Sequence, residues 1–433
     1  MNPTLLLARK MVVAVATLFL LVLGLSGIAG CAAAVAPVPP TAVATTAPAQ
    51  AAPTSAAATS APSGATKELV IGAIMPLSGP ISPVGVVWGR GYQLYYEQLN
   101  DQGGLKIGGD TYKIKYVLED GAYNAEKSGT AATKLVSQDG AKFIFGEISD
   151  AAGAAIDKIT TPAGVLHIIT FTTPFNQVDV SKDKPLTARL MVSPYDNQAL
   201  LLKALVAKYP SAKNIALVVP DLGYDRMLTD LTKSITGQGL QVTYTKKFPF
   251  ATSDFVPIYT DVLSKHPDVI WMVRSGQSPA EAKTASDLGF TGVLIDDTPR
   301  DPDVHISAVG DGLANMLVSG IDSADMTPDM QAVATAWKAD FKDPFATDAL
   351  YAWDQASILT QAMQKAQSVD PAQVMKALED MNTPGSVKSL FGDGEMVGAS
   401  WYGVPRALLR PIPITQIVKG KKTFLGLQSA PSY

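Results

Sequence analysis

A chain of 433 residues, 47% hydrophobic and 17% charged, carries enough apolar side chain for two domains of ordinary size and is not a disordered polymer. Its formal charge of −4, from 35 basic and 39 acidic residues with no dense basic run, gives no electrostatic footprint for nucleic acid. The single cysteine, Cys31, excludes a disulfide framework and a Cys-rich zinc site; three scattered histidines, His167, His266 and His305, have no metal-binding spacing, so neither metal nor cofactor is expected.

Residues 1–30 read as an address. A short positive region, Arg9-Lys10, precedes an apolar run from residue 11 to about 25, too short for a comfortable membrane span and typical of a secretory signal. The run ends in Ile28-Ala29-Gly30-Cys31, which resembles a bacterial lipobox: small residues admit the signal peptidase and the thiol that follows receives the lipid. Acyl chains, at about 0.8 kcal/mol per buried methylene, would hold the mature chain on a membrane without a spanning helix. Residues 31–66 then collapse to Ala, Pro, Thr, Ser and Val with no charge or aromatic ring before Lys67. Such a segment cannot bury enough surface to offset its ordering entropy, and it reads as a tether.

From Lys67 onward short Val- and Ile-rich runs alternate with helical spacing, the pattern of an α/β protein. Strands are expected at 69–74, 112–118, 142–146 and 166–170, with helices at 84–100, 125–137 and 151–160 between them: one doubly wound sheet. A helix over 196–208 opens a second series, with strands at 214–219, 240–245, 268–273 and 292–295 and helices starting near Tyr224, Asp254 and Pro279. Helices over 328–341, 349–366 and 371–381 follow, the last with Asp370 as N-cap, and they suit the first lobe's sheet. Two short strands, 412–418 and 423–427, flank the turn Lys419-Gly420-Lys421.

The opening Val70-Ile71-Gly72-Ala73-Ile74-Met75-Pro76-Leu77-Ser78-Gly79-Pro80, the helix ending Tyr96-Glu97-Gln98-Leu99-Asn100-Asp101-Gln102-Gly103-Gly104-Leu105, Glu119-Asp120, Phe145-Gly146, and Val219-Pro220-Asp221 before Gly223-Tyr224 together resemble type I periplasmic binding proteins of the leucine/isoleucine/valine-binding class. The resemblance covers nearly all of 67–433. It implies two Rossmann-like α/β lobes joined by three crossovers and closing on a small molecule by hinge motion. The crossovers would fall near Leu190, Gly320 and Val397, giving a first lobe of 67–190 with 320–397 and a second of 191–319 with 398–433.

Open parallel sheets bind ligands beyond the carboxyl ends of their strands, so two facing sheets place a site in the cleft between them. Ser149 and Asp150 follow one strand end and lead into a helix N-terminus that favours an anion. Thr172 and Thr173 follow another. In the family, Ser and Thr at such places cradle an α-carboxylate, an aromatic stands where Tyr224 is, and an acidic group for the ligand amine stands near Asp296 and Asp297. Trp88, near the first loop, is a further candidate, its ring lining the pocket. Ser149 and Thr172 equally suit local turn caps, Tyr224 a packing role, Asp296-Asp297 a solvated turn, and Trp88 a core or rim position. Arg274, closing an apolar strand, suits a carboxylate clamp or a salt bridge within its lobe. Asp150 beside an anion cradle would repel an amino acid's carboxylate unless turned away, and the ligand would then be reversed, with its acidic end on Arg274.

No catalytic motif is present: no Gly-x-Ser-x-Gly, His-Glu-x-x-His, phosphate loop or Gly-x-Gly-x-x-Gly. A carboxylate-only hydrolase on Glu147 and Asp296 is the one enzymatic alternative. The expectation is therefore a monomeric, lipid-anchored receptor in the cell envelope, facing the periplasm or the outside. It would hand an amino acid, branched-chain or related, to an ABC-type permease; a small carboxylate or aromatic acid as ligand, or a tethered sensor not coupled to transport, are the alternatives.

Overall fold

The computed structural model describes residues 65–79, 81–171, 174 and 177–430. The signal segment, Cys31 and most of the tether lie outside these residues, as do Thr172 and Thr173. In chain order, β1 (Thr66–Met75), α1 (Ser82–Asp101), β2 (Leu105–Ile107), β3 (Asp110–Asp120), α2 (Ala125–Ser137), β4 (Phe143–Gly146), α3 (Asp150–Ala163), β5 (Leu166–Ile169) and β6 (Thr187–Arg189) begin the first lobe. Next, α4 (Pro194–Lys208), β7 (Asn214–Pro220), α5 (Asp225–Gly237), β8 (Gln241–Phe248), α6 (Val256–Leu263), β9 (Val269–Met272), α7 (Ser278–Asp287), β10 (Val293–Asp296), α8 (Asp303–Val309) and β11 (Asn315–Ser319) form most of the second. The chain returns to the first lobe with α9 (Pro328–Asp340), α10 (Asp348–Ala366), α11 (Pro371–Glu379), β12 (Glu395–Val397), α12 (Ala399–Tyr402) and β13 (Ala407–Leu409), and ends in the second with β14 (Ile412–Val418) and β15 (Lys421–Gln428).

The first sheet runs β12-β13-β6-β5-β4-β1-β3-β2 and the second β15-β14-β11-β10-β9-β7-β8. In both, the central strands are parallel, with β1 between β3 and β4 and β9 between β7 and β10. These strands are apolar on both faces because helices cover both: Ile71, Ala73, Ile74 and Met75 are fully buried, as are Val269, Ile270, Trp271 and Met272. Several helices begin at side-chain caps, of which Asp370 was expected. Asn124 accepts the Lys127 amide at 3.0 Å to start α2, and Asp370 accepts the Ala372 and Gln373 amides to start α11.

The helices after the second crossover cover the first lobe, as expected: α10 lies along α1, and Gly91 lets the two backbones approach, since a Cβ there would come within 2.7 Å of the Ala349 carbonyl. The third crossover departs from expectation. Strands β12 and β13 both extend the first sheet, so the chain changes lobes at 410–411 rather than near Val397. Three residues are too few to stand out as strands by alternation. Arg410, at this crossover, is buried against the Phe391 ring, 3.9 Å from its centroid, and pairs with Asp354 at 3.1 Å. At the second crossover, Gly320 leaves no room for a side chain: a Cβ would meet the Arg300 carbonyl oxygen at 1.9 Å.

Candidate functional site

The loops at the carboxyl ends of the two sets of parallel strands meet around a cavity of about 320 Å3, within the size range of small-molecule sites. From the first lobe come Ile81, Val84 and Val87 around the start of α1, Tyr123 after β3, Ile148 and Asp150 after β4, Phe171 after β5, and Asp348 at the start of α10. From the second come Leu222 and Tyr224 after β7, Phe250 after β8, Arg274 and Gly276 after β9, and Thr298, Pro299 and Arg300 after β10. The walls are mainly aliphatic and aromatic, and four side chains carry charge.

Two interlobe contacts frame the cavity. The Tyr123 and Phe250 rings stack with centroids 5.2 Å apart and planes 15° from parallel. Tyr123 reaches this position because the chain turns through two left-handed residues, Ala122 (φ 50°) and Tyr123 (φ 55°), and the Tyr123 amide donates to Glu147 Oε1 at 2.9 Å. Glu147 is fully buried, with Oε2 lacking a hydrogen-bond partner, and burial raises its carboxyl to about 7. The second contact is Arg274, whose guanidinium donates to the Phe171 carbonyl oxygen and lies 5.8 Å from the centroid of that ring. Arg274 adopts φ 50° and is held there by its amide, which donates to Asp297 Oδ1 at 2.6 Å. Its Nε is buried without a hydrogen-bond partner, a donor available to an acceptor entering the cavity.

The residues singled out from sequence divide accordingly. Asp150, Tyr224 and Arg274 line the cavity. Ser149 caps α3, its hydroxyl accepting the Ala152 amide at 3.5 Å, and lies outside the lining. Trp88 is fully buried beneath the wall: it meets Phe171 edge-on at 4.8 Å and stacks on Tyr351 at 6.3 Å. Asp296 and Asp297 are neither a solvated turn nor part of the lining. Both are fully buried behind the second lobe's wall. Asp296 accepts the Thr298 amide at 2.9 Å, forms an ion pair with Arg300 at 3.0 Å and a hydrogen bond with His305 at 3.0 Å; burial pushes its carboxyl up, but Arg300 and His305 outweigh that and hold it low. Asp297 accepts Gln198 at 2.7 Å and Trp271 Nε1 at 3.3 Å besides the Arg274 amide. These two carboxylates shape Arg300 and Arg274 from behind, so their contribution to the cavity is indirect. Glu147 and Asp296 sit in separate lobes, each buried in its own, which removes the basis for a paired-carboxylate hydrolase.

Sequence reasoning passed over Tyr123, Phe250, Arg300 and Asp348. The strand-end rule already points to the loops after β3 and β8, and an aromatic in each was the available signal. Asp348 had none, because it arrives from a helix N-terminus beyond the second crossover. His167 is a core residue, fully buried, with Nδ1 3.5 Å from Asp157 and Nε2 on the Gly146 carbonyl.

A family model of periplasmic binding proteins matches residues 68–421. Among characterised relatives, the Leu/Ile/Val-binding protein BraC3 of Rhizobium johnstonii is 25% identical over 323 residues, covering 73% of this chain and 84% of the relative. A solute-binding protein of an ABC transporter from R. palustris, solved in complex with 4-hydroxybenzoate, superposes with TM-score 0.69 at 20% identity, over 84% of this chain and 97% of that one. The branched-chain amino acid transporter substrate-binding protein LivJ of Streptococcus pneumoniae, solved with isoleucine, gives 0.66 at 16% identity, over 83% and 99%. The chain belongs to the periplasmic binding protein family, with the two-lobed fold of its type I members, and is a binding protein rather than an enzyme.

Proposed function

We propose that this periplasmic binding protein captures an α-amino acid of about leucine's size between its lobes and delivers it, from a lipid anchor at Cys31, to an ABC-type permease. The observation that carries the reading is the pairing of signs around one apolar cavity: Asp150 and Asp348 on the first lobe's wall, Arg274 and Arg300 on the second's. A zwitterion offers a carboxylate to the arginine side and an ammonium to the aspartate side, and its side chain fills the space among Ile81, Val84, Val87 and Ile148. Arg274, with a buried unpartnered Nε, takes the carboxylate; Asp150 takes the ammonium, and this is the reversed orientation that Asp150 suggested from sequence. Ser149 then belongs to the helix cap supporting the site. The ligand stabilises the closed form through its extra contacts there, so closure is a shift of an equilibrium and no bond is broken.

A second reading, an aromatic acid, is favoured by the four rings lining the cavity, Tyr123, Phe171, Tyr224 and Phe250. Native mass spectrometry of the purified protein identifies what co-purifies, and calorimetry with leucine, isoleucine, valine, asparagine, glutamine, benzoate and 4-hydroxybenzoate ranks the classes. Binding confined to the benzoates replaces the first reading by the second; binding of none of the panel removes both.

A further inference from the structure

The charged groups of the cavity fall into two sets. The second lobe's lining loops include those after β7, β9 and β10, which lie in the sheet order β10-β9-β7. Neighbouring strands are about 4.8 Å apart, so Arg300 after β10 is displaced by about 10 Å from Tyr224 after β7. At one end the Tyr123 hydroxyl is under the influence of Tyr224, Asp150, Glu147 and Arg274. At the other the Asp348 carboxyl is under that of Arg300 and Asp301. An amino acid needs a single such end for its α-carboxylate and ammonium. The second end is therefore surplus to that requirement, and an aliphatic side chain there would meet charged groups it cannot satisfy.

The groups at the second end differ in how fully they are used. Arg300 is anchored, with Nε 3.0 Å from Asp296 and an Nη donating to the Ser275 carbonyl at 3.0 Å. Asp296 is in turn bonded to His305 and Ser278, so the guanidinium is held in one orientation at the wall. Asp348 opens α10 on the opposite lobe. Its burial raises the carboxyl to about 6, with Arg300 opposing the rise, which leaves it mostly ionised at neutral pH. Thr298 adds a hydroxyl beside them, itself oriented by the Ser275 carbonyl at 3.4 Å. An acceptor and a donor from opposite lobes thus line the same end of the cavity.

We infer that Asp348 and Arg300 form a second recognition end, selecting a ligand whose far end both donates and accepts a hydrogen bond, such as a terminal carboxamide, a urea or a phenol. This rests on the reading that the ligand's carboxylate lies at Arg274. A carboxamide donates through its NH2 group to Asp348 and accepts at its oxygen from Arg300, joining the lobes at a point an isosteric isopropyl group cannot. Sites built to hydrogen-bond a substrate group reject the analogue lacking it far more strongly than apolar pockets reject a changed methyl, because the buried partners are left unpaired.

The test uses matched pairs, asparagine against the near-isosteric leucine and 4-hydroxybenzoate against benzoate, which lacks only the hydroxyl, titrated calorimetrically into wild type, Asp348→Asn and Asp348→Ala, with thermal melts confirming that each variant is folded. The polar member of at least one pair should bind wild type 10-fold or more tighter than its apolar partner, and Asp348→Ala should narrow that ratio to within about 3-fold by weakening the polar member. Leucine and benzoate binding as tightly as their polar partners, or a ratio unchanged in folded Asp348→Asn and Asp348→Ala, overturns the inference while leaving the cleft reading intact. Binding of none of the four compounds overturns the inference, and binding of none of the wider panel overturns the cleft reading with it.

Discussion

The two walls of the cleft are built by the same rule and end with opposite chemistry. Each consists of loops at the carboxyl ends of parallel strands, yet the first lobe contributes Asp150 and Asp348 and the second Arg274 and Arg300. The buried scaffolds differ in the same direction. Behind the second wall, Asp296 and Asp297 are spent on orienting the arginines in front of them, whereas behind the first wall Glu147 holds a backbone turn that carries the Tyr123 ring. One lobe positions charge through ion pairs; the other positions an apolar surface through a carboxylate beneath it. A zwitterion or an amphipathic acid fits between such walls better than either a cation or a hydrocarbon.

The largest expected effect comes from removing the charge of the second wall. Arg274→Ala should weaken ligand binding by roughly 100-fold or more, since truncating a buried hydrogen-bonded charge costs about 2–5 kcal/mol, and Arg274→Lys should restore only part because it lacks the planar fork. Calorimetry on the folded variants measures this; an Arg274→Ala affinity within 3-fold of wild type would assign the anion to Arg300 instead.

The next effect tests the scaffold of the first wall through pH. The Glu147 carboxyl titrates at about 7 in the folded chain against an ordinary 4.5. The folded state therefore holds this proton more tightly than the unfolded one, and the group's contribution to stability is fullest below about pH 4.5, falls as pH rises toward 7 and is flat above. Glu147→Gln, whose side-chain oxygen still accepts the Tyr123 amide, should remove that slope, worth up to about 3 kcal/mol. Denaturant midpoints between pH 5 and 8 that fall in parallel for variant and wild type would place the titration elsewhere, Glu281 of the second lobe, also raised to about 7 by burial, being the alternative.

The smallest effect concerns the contact between the walls. Phe250→Ala removes the stack on Tyr123, a contact between the two lobes worth about 0.5–1.5 kcal/mol. The dissociation constant should rise by about 3- to 10-fold with faster ligand release and little change in melting temperature without ligand. Unchanged release kinetics would mean that the rings meet without helping to hold the lobes together.

The sequence revealed what repeats and concealed what does not. Runs such as Val269-Ile270-Trp271-Met272 announce a buried parallel strand, and the cap Asp370 announces where α11 begins, because these signals are local. The short strands β6, β12 and β13 carry no such period, so the third crossover was misplaced by about a dozen residues. Within the site, Asp150, Tyr224 and Arg274 were legible because each follows a strand end. Asp296 and Asp297 follow one as well; whether a carboxylate faces the cavity or the lobe interior depends on Gln198, Trp271 and His305, which are distant in sequence or unmarked. Asp348 joins the site only through the packing of α10 on α1, a long-range fact without a motif.

Gly320 ties two parts of the molecule that evolution would otherwise adjust separately. Even one added methyl group on this linker would strike the carbonyl of Arg300, pushing a ligand-facing loop whenever the bridge is altered. A lineage acquiring a taste for a new nutrient, or an engineer converting the protein into a biosensor, therefore cannot retune the stiffness of this bridge without also disturbing what the protein chooses to hold.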